Sequence, residues 1–382
     1  MRILHTSDWH LGRQFHGQSL ETDHAEILEQ VFEAVRVNDP DVLIIAGDIY
    51  DRPSPPATAV RLFNTFVQKI YSESRTAIVL IAGNHDSGDR IASNAALADR
   101  NRVLIRGPLS AHEPPLIIDD EHGPVVFSAL PFGNEFSARE CFGDTKISNP
   151  ADVLAAQISA ARTHVPDNVR WVISAHAFVT NAHPSESERR LAVGGVETVP
   201  ASAFDGAHYV ALGHLHSPQN AGSDHIRYSG SPLAFGFDEA ENEKSMTLVE
   251  LASDGSLSTE QLPFNPLRAV RTLKGSLAEL VAKAAESPSD DFIEIVLTDK
   301  GALIDPMGRI RENYPHALKL TYERDEQGAQ MKATGSTQAS LDDPMEVIHD
   351  FFAHVSGEGA STEELKIISE SLTELTAQEE YS

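Results

Sequence analysis

Val42-Leu43-Ile44-Ile45-Ala46-Gly47-Asp48-Ile49-Tyr50-Asp51 opens on an unbroken apolar run, breaks at a glycine and at once delivers a carboxylate. A run this short, rich in β-branched residues and without alternation, predicts a strand buried on both faces, as in a parallel sheet. Four other places repeat the device. Ile3-Leu4 leads to Asp8-Trp9-His10, and Ala77-Ile78-Val79-Leu80-Ile81-Ala82 leads to Gly83-Asn84-His85-Asp86. Val169-Arg170-Trp171-Val172-Ile173 leads to Ala175-His176, and Tyr209-Val210-Ala211-Leu212 leads to Gly213-His214-Leu215-His216. In open α/β sheets the loops beyond the carboxyl ends of several strands meet in one crevice, so these five segments predict a single site. A glycine ahead of Asp48, Asn84 and His214 fits a backbone that turns sharply to aim the next side chain inward.

Between the first three strands, helices are expected over residues 21–37 and 57–71. Ile27, Leu28, Val31 and Val35 share one face of the first; Val60, Phe63, Phe66, Val67 and Ile70 share one face of the second. Strands alternating with helices predict the α/β class. From about residue 225 the pattern shortens to strand and turn, at Ser229-Gly230-Ser231-Pro232 and Ala252-Ser253-Asp254-Gly255, which predicts antiparallel strands closing the domain. Pro263-Phe264-Asn265-Pro266 reads as a linker. The chain is thus expected to comprise a catalytic domain over residues 1–265, a small α+β unit over 266–338, and a helical region over 339–382. The small unit carries strands near 268–274, 292–298 and 317–322. Its Arg268, Arg271, Lys274, Arg309, Arg311 and Lys319 make it the less acidic part of the chain, a charge pattern that a solvated surface also explains. In the helical region, Asp343-Pro344 starts one amphipathic helix and the capping box Ser361 with Glu364 starts another.

The converging side chains are oxygen donors from Asp and Asn and nitrogen donors from His, with no thiolate. That set suits Mn²⁺, Fe²⁺ or Zn²⁺. Asp8, His10, Asp48, Asn84, His176, His214 and His216 are more ligands than one ion takes from protein. They fit two divalent ions roughly 3.5–4 Å apart that share a carboxylate, the arrangement used in phosphoryl transfer. Each fragment alone has a bland reading: a capped strand end, a turn, a hydrogen-bonded histidine. All five in this order, each after a strand, point to chemistry.

These motifs resemble those of the calcineurin-like metallophosphoesterases. Leu4-His5-Thr6-Ser7-Asp8-Trp9-His10-Leu11-Gly12 and Gly47-Asp48-Ile49-Tyr50-Asp51-Arg52-Pro53 resemble the SbcD nuclease branch in particular. The resemblance implies a four-layer sandwich of two mixed β-sheets flanked by helices, with a capping domain that contacts DNA over residues 266–338. It implies that Asp8, His10, Asp48 and His216 hold one ion and that Asp48, Asn84, His176 and His214 hold the other, with Asp48 bridging and His85 as the catalytic histidine. It also implies Mn²⁺ as cofactor, and 3′-to-5′ double-strand exonuclease with single-strand and hairpin endonuclease activity. The work would be done as a homodimer with an SMC-like coiled-coil ATPase, in a heterotetramer that processes DNA ends in repair, recombination and replication. Archaeal and eukaryotic relatives of this nuclease carry a histidine where this chain has Asp51, so that histidine's role does not carry over. Asp51 is read instead either as a carboxylate that orients His85 or as a turn residue. Asp86 is assigned to support the ligands from behind, the other reading being a cap on the segment that follows.

Composition narrows the rest. The 382 residues carry a net charge of −27, from 30 Lys+Arg against 57 Asp+Glu. Diffuse basic charge therefore cannot be what holds nucleic acid; local cations, metal ions or a partner must supply the contact. The N-terminus lacks the apolar core of a secretory signal and no apolar run is long enough to span a bilayer, so a cytoplasmic chain with no membrane partner is expected. Cys141 is the single cysteine and forms neither an internal disulfide nor a zinc site. There is no Gly-rich ATP-binding loop ending in Gly-Lys-Ser/Thr, so the ATPase would be another chain. Two alternatives stay open: a phosphoesterase for a small phosphodiester or a phosphoprotein, and a scaffold of the same fold that has lost its metals.

Overall fold

The computed structural model describes residues 1–323 apart from 94, 96–97, 113, 186, 189–197 and 300–302. The chain divides into two units, residues 1–295 with 303–320 and residues 296–302 with 321–382. All the candidate site residues lie in the first. The helices expected beyond residue 339 fall outside the described residues.

Two six-stranded sheets form the core of the first unit. One runs in the order Leu257–Pro263, Ser245–Leu251, Arg2–Thr6, Val42–Ala46, Ala77–Ile81, Val103–Arg106. Its last four strands are parallel, and the Ser245–Leu251 strand joins them antiparallel. The other runs Gln219–Asn220, Ile226–Tyr228, Tyr209–Gly213, Arg170–His176, Gly123–Leu130, Leu116–Asp120, with the middle four parallel. The five strands read from sequence appear where they were expected, because both faces of each are covered. Ile3, Val42, Ile44 and Val79 face Val125, Phe127, Val172 and Ala211 of the second sheet. Their alternates Leu4, Leu43, Ile45, Ile78 and Leu80 turn the other way, onto Ile27, Val31 and Val35 of the helix Glu21–Asn38 and Phe66 and Ile70 of the helix Ala57–Glu73. A strand's period of two thus feeds two cores from one apolar run. The outer face of the second sheet carries Trp171, Ile173, Val210 and Leu212 and packs on Leu154 of the helix Pro150–Arg162 and on Phe204. Helix, sheet, sheet, helix is the four-layer α/β sandwich that the resemblance implied.

Past the sandwich, strands at Val270–Gly275, Phe292–Leu297 and Ala317–Tyr322 form a three-stranded sheet. The helix Leu277–Glu286 between them starts with a capping box, Ser276 with Glu279, that was not among the expected helix starts. The Pro263–Pro266 connector is packed down: Phe264 is buried in the first core and Asn265 exchanges hydrogen bonds with Gln30. The cations of this region are largely spoken for. Arg268 pairs with the buried Asp23, Arg271 lies 3.0 Å from Asp291, and Lys319 lies 2.7 Å from Glu294. Among the described residues no helix is long and apolar enough to cross a membrane.

Candidate metal centre

The parallel strands of both sheets end at one edge of the sandwich, and their loops meet there. The loop after Arg2–Thr6 is tied to the loop after Val42–Ala46 by main-chain bonds: Asp8 N–H to Gly47 O at 3.0 Å, His10 N–H to Asp48 O at 2.9 Å, and Leu11 N–H to Ile49 O at 2.9 Å. Trp9, fully buried, pins the first loop from below by donating to Thr6 Oγ1 at 2.9 Å and packing edge-on against Phe66. In the second sheet Gly213 pairs directly with His176, which sets the two histidine-bearing strand ends side by side.

Local backbone strain is concentrated here. Asp8, His10, Asp48 and His214 have φ of 55°, 47°, 48° and 107°, in the left-handed region that residues with a Cβ seldom enter. This corrects the expected role of the glycines. Gly47 does turn, with φ of 91°, but Gly83 and Gly213 do not have positive φ, and in the loop after Gly213 it is His214 itself that turns left-handed. Gly83 is needed for space: a Cβ there would collide with the Asp48 carboxylate.

All seven candidate ligands come together and are buried or nearly so. Three sub-clusters stand out among the described residues: Asp8 with His10 and His216, Asp8 with Asp48 and His176, and His10 with Asp51 and His85. His10 Nε2 faces His216 Nε2 at 3.2 Å. Asp48 Oδ2 lies 3.7 Å from His10 Nε2 and 3.5 Å from His176 Nε2, between the two groups. Asn84 Oδ1 lies 2.9 Å from His176 Nε2 and 3.1 Å from His214 Nδ1. Both Asp8 oxygens accept from the His214 N–H, at 3.0 and 3.1 Å.

The donor set fits cations. His176 Nδ1 lies 2.9 Å from the Ala46 carbonyl, which can only accept, so Nδ1 carries a proton there. Its Nε2 then points at two acceptor oxygens, Asn84 Oδ1 and Asp48 Oδ2, a facing that only a proton or a cation satisfies. Protons do this when no cation is bound. Burial would lower the His176 pKa, but Asp48 outweighs it and lifts the imidazole to about 9. Burial pushes the Asp8 carboxyl up to about 8. Burial would raise Asp48 as well, yet His176 and His10 hold it well below the usual carboxylate range. His10 and His214 are shifted down by burial, His214 to about 3, which leaves their lone pairs available.

A cation must therefore displace protons from Asp8 and His176. Divalent-metal affinity is expected to rise with pH between about 7 and 9, with up to about two protons released per site pair. Calorimetric titration at neutral pH in buffers of different ionisation enthalpy counts those protons. Heats that are independent of the buffer would contradict this protonation pattern.

The two supporting carboxylates are used in ways the sequence could not distinguish. Asp86 does not cap the following helix, which is capped by Ser87. It accepts from the N–H groups of Ile49, Tyr50 and Gly83 at 3.1, 2.9 and 3.0 Å, stitching the Asp48 loop to the Asn84 loop. Burial, with Asp48 nearby, raises it to about 7. Asp51 does hold His85, but through its main-chain carbonyl, 2.9 Å from His85 Nδ1. Its carboxylate lies 3.4 Å from Arg13 and 3.7 Å from His10 Nδ1, and stays close to both His10 and His85. His85 also donates its main-chain N–H to Asp48 Oδ1 at 2.8 Å.

Several neighbours carry no signal in the sequence. Arg13 lies over the Phe235 ring, and Phe235 stacks edge-on against His10 and His216. Ser187, Glu188, Glu239 and Lys244 gather behind His216. None sits in a motif or a periodic pattern, and only the return of distant loops assembles them.

Comparison with known proteins agrees with this geometry. Residues 1–218 match the calcineurin-like phosphoesterase family, and residues 263–356 match a domain described as the type 5 capsule protein repressor C-terminal domain. The chain is 30% identical over 376 residues to a Staphylococcus saprophyticus protein named as the D component of the nuclease SbcCD, an alignment that covers 98% of each chain. A buried Asp/His/Asn cluster on a two-sheet sandwich, a family match over more than half the chain and a full-length relative lead to one conclusion: this chain belongs to the calcineurin-like metallophosphoesterases, among the SbcD nucleases.

Proposed function

We propose that the chain is the Mn²⁺-dependent nuclease component of a DNA end-processing complex, acting as a 3′-to-5′ double-strand exonuclease and a single-strand and hairpin endonuclease. The observation that carries the reading is the facing of His176 Nε2 toward Asp48 Oδ2 and Asn84 Oδ1 beside the His10–His216 pair, a donor set for two cations. Asp8, His10, Asp48 and His216 would hold one ion, and Asp48, Asn84, His176 and His214 the other. When bound, the ions withdraw charge from the scissile phosphodiester and acidify a water.

The remaining chemistry is the protein's. The Asp51 carbonyl can only accept, so His85 Nδ1 keeps its proton toward it and Nε2 is the nitrogen left for proton transfer. Protonated, Nε2 donates to the leaving 3′ oxygen, and the products are a 5′-phosphate and a free 3′-hydroxyl. The strained ligand loops hold this geometry in advance of substrate, which is where rate is gained without reorganisation.

The partner reading follows the charge. A chain at −27 gains little from DNA on its own, so an SMC-like coiled-coil ATPase would supply the grip, in keeping with the name of the staphylococcal relative, which makes that protein one component of SbcCD. Residues 266–338 would form a cap beside the site and residues 339–382 would dock on the ATPase coiled coil, two copies of each chain making the assembly.

The test is incubation of the purified chain and Mn²⁺ with end-labelled duplex, a DNA hairpin and a chromogenic phosphodiester, with and without a copurifying ATPase. Cleavage of the DNA substrates, stimulated by ATP when the partner is present, is expected. Hydrolysis of the chromogen with both DNAs left intact in every arm would favour a small-substrate phosphoesterase.

A further inference from the structure

The histidines at the two ends of the cluster are backed by different groups. His176 leans on a neutral main-chain carbonyl, that of Ala46. His216 leans on a buried charge. Its Nδ1 lies 2.6 Å from Ser187 Oγ and 3.4 Å from Glu239 Oε1. Ser187 Oγ in turn bonds Glu239 Oε1, and a carboxylate only accepts, so the hydroxyl donates to Glu239 and accepts from His216 Nδ1–H. Glu239 Oε2 accepts from Lys244 Nζ at 2.5 Å. Glu239 is wholly buried and Lys244 is 8% exposed.

A buried ion pair is a poor source of stability, because removing both charges from water costs several kcal/mol. This pair is aimed. Besides Glu239, Lys244 Nζ donates to His216 O at 2.9 Å and to Ser231 Oγ at 3.1 Å, so the same ammonium holds both the main chain of His216 and the carboxylate behind its ring. The arrangement fixes His216 with Nδ1 protonated and Nε2 free toward His10. It also places negative charge behind that ring, which strengthens the imidazole as a donor.

We propose that Glu239, held by Lys244 and relayed through Ser187, is a positioning residue that makes the His10–His216 end the tighter of two metal positions, so that this end loads first and the His176 end exchanges. The inference rests on the two-ion reading of the site. It assigns to Glu239 no contact with substrate, and its effect passes entirely through His216.

The experiment is a Mn²⁺ titration followed by paramagnetic resonance of the free ion, with calorimetry in parallel, on the wild-type chain, on Glu239→Gln and on Glu239→Gln with Lys244→Met. The double variant removes the unpaired ammonium that the single one leaves buried, and keeps the test open if the single variant folds poorly. Wild type is expected to show a tight and a weaker ion. In both variants the tight class should weaken by roughly 10–100-fold, the usual effect of losing the group behind a metal-bound histidine, while the weaker class keeps its affinity. Two ions bound by the folded double variant with wild-type affinities would overturn the proposal, as would two equal sites in the wild type. A wild-type chain that takes up only one ion would instead overturn the two-ion reading beneath it.

Discussion

Asp48→Ala is expected to abolish cleavage and to prevent the binding of both ions as a pair, the largest effect available from one substitution. The reason is position more than charge. Asp48 Oδ2 stands between His10 and His176, one from each end of the cluster, while Oδ1 receives the His85 N–H. Alanine removes a carboxylate oxygen that lies near a histidine of each end and strands two buried imidazole groups facing a gap. It also frees the main chain of the catalytic loop, so orientation is lost together with charge. Metal stoichiometry by calorimetry or elemental analysis is the direct check, with circular dichroism to establish folding. Wild-type stoichiometry in a folded Asp48→Ala chain would refute the shared-carboxylate assignment, and residual activity would show that one ion suffices.

His85→Ala is expected to behave differently. Turnover should fall by roughly 10²–10⁴-fold, the share of one general acid, with metal content unchanged. Alanine keeps the main-chain N–H that anchors Asp48 Oδ1, so the ligand shell should survive the loss of the ring. The alternative has a structural basis, because His85, Asp51 and His10 also lie close enough together to hold an ion. Loss of one ion along with activity would move His85 among the ligands and leave the leaving oxygen without its donor.

Much of this protein is legible in the order of its residues, for a physical reason. The five strands announce themselves because each is buried on both faces and so reads as a continuous apolar run. The two long helices of the first half announce themselves because each buries one stripe, at 3.6-residue spacing. The ligands follow from the same logic, since residues immediately after a buried parallel strand have one place to go. The strands and helices between residues 103 and 162 give no comparable signal, since their apolar residues are shared between short, half-buried elements with weak periodicity. Loop conformation was beyond local reasoning too. Whether Asp8 or its neighbour turns left-handed, and whether Gly83 bends or merely makes room for Asp48, depends on what lies across the crevice and not on the residues alongside. The same holds for the supporting groups. Asp51 offers its carbonyl to His85 while its carboxylate lies near Arg13 and His10, and Asp86 serves three N–H groups from two loops. Glu239 and Lys244 lie 23 and 28 positions from His216 in the chain, outside any motif, and become its support only when the closing strand returns beneath it. The sequence alone determined the α/β class, the ligand types and their convergence, because those depend on burial and on strand ends. Which oxygen faces which nitrogen, and which charge stands behind each ligand, was decided only by tertiary packing, because hydrogen-bond partners distant in the chain meet solely through the folded core.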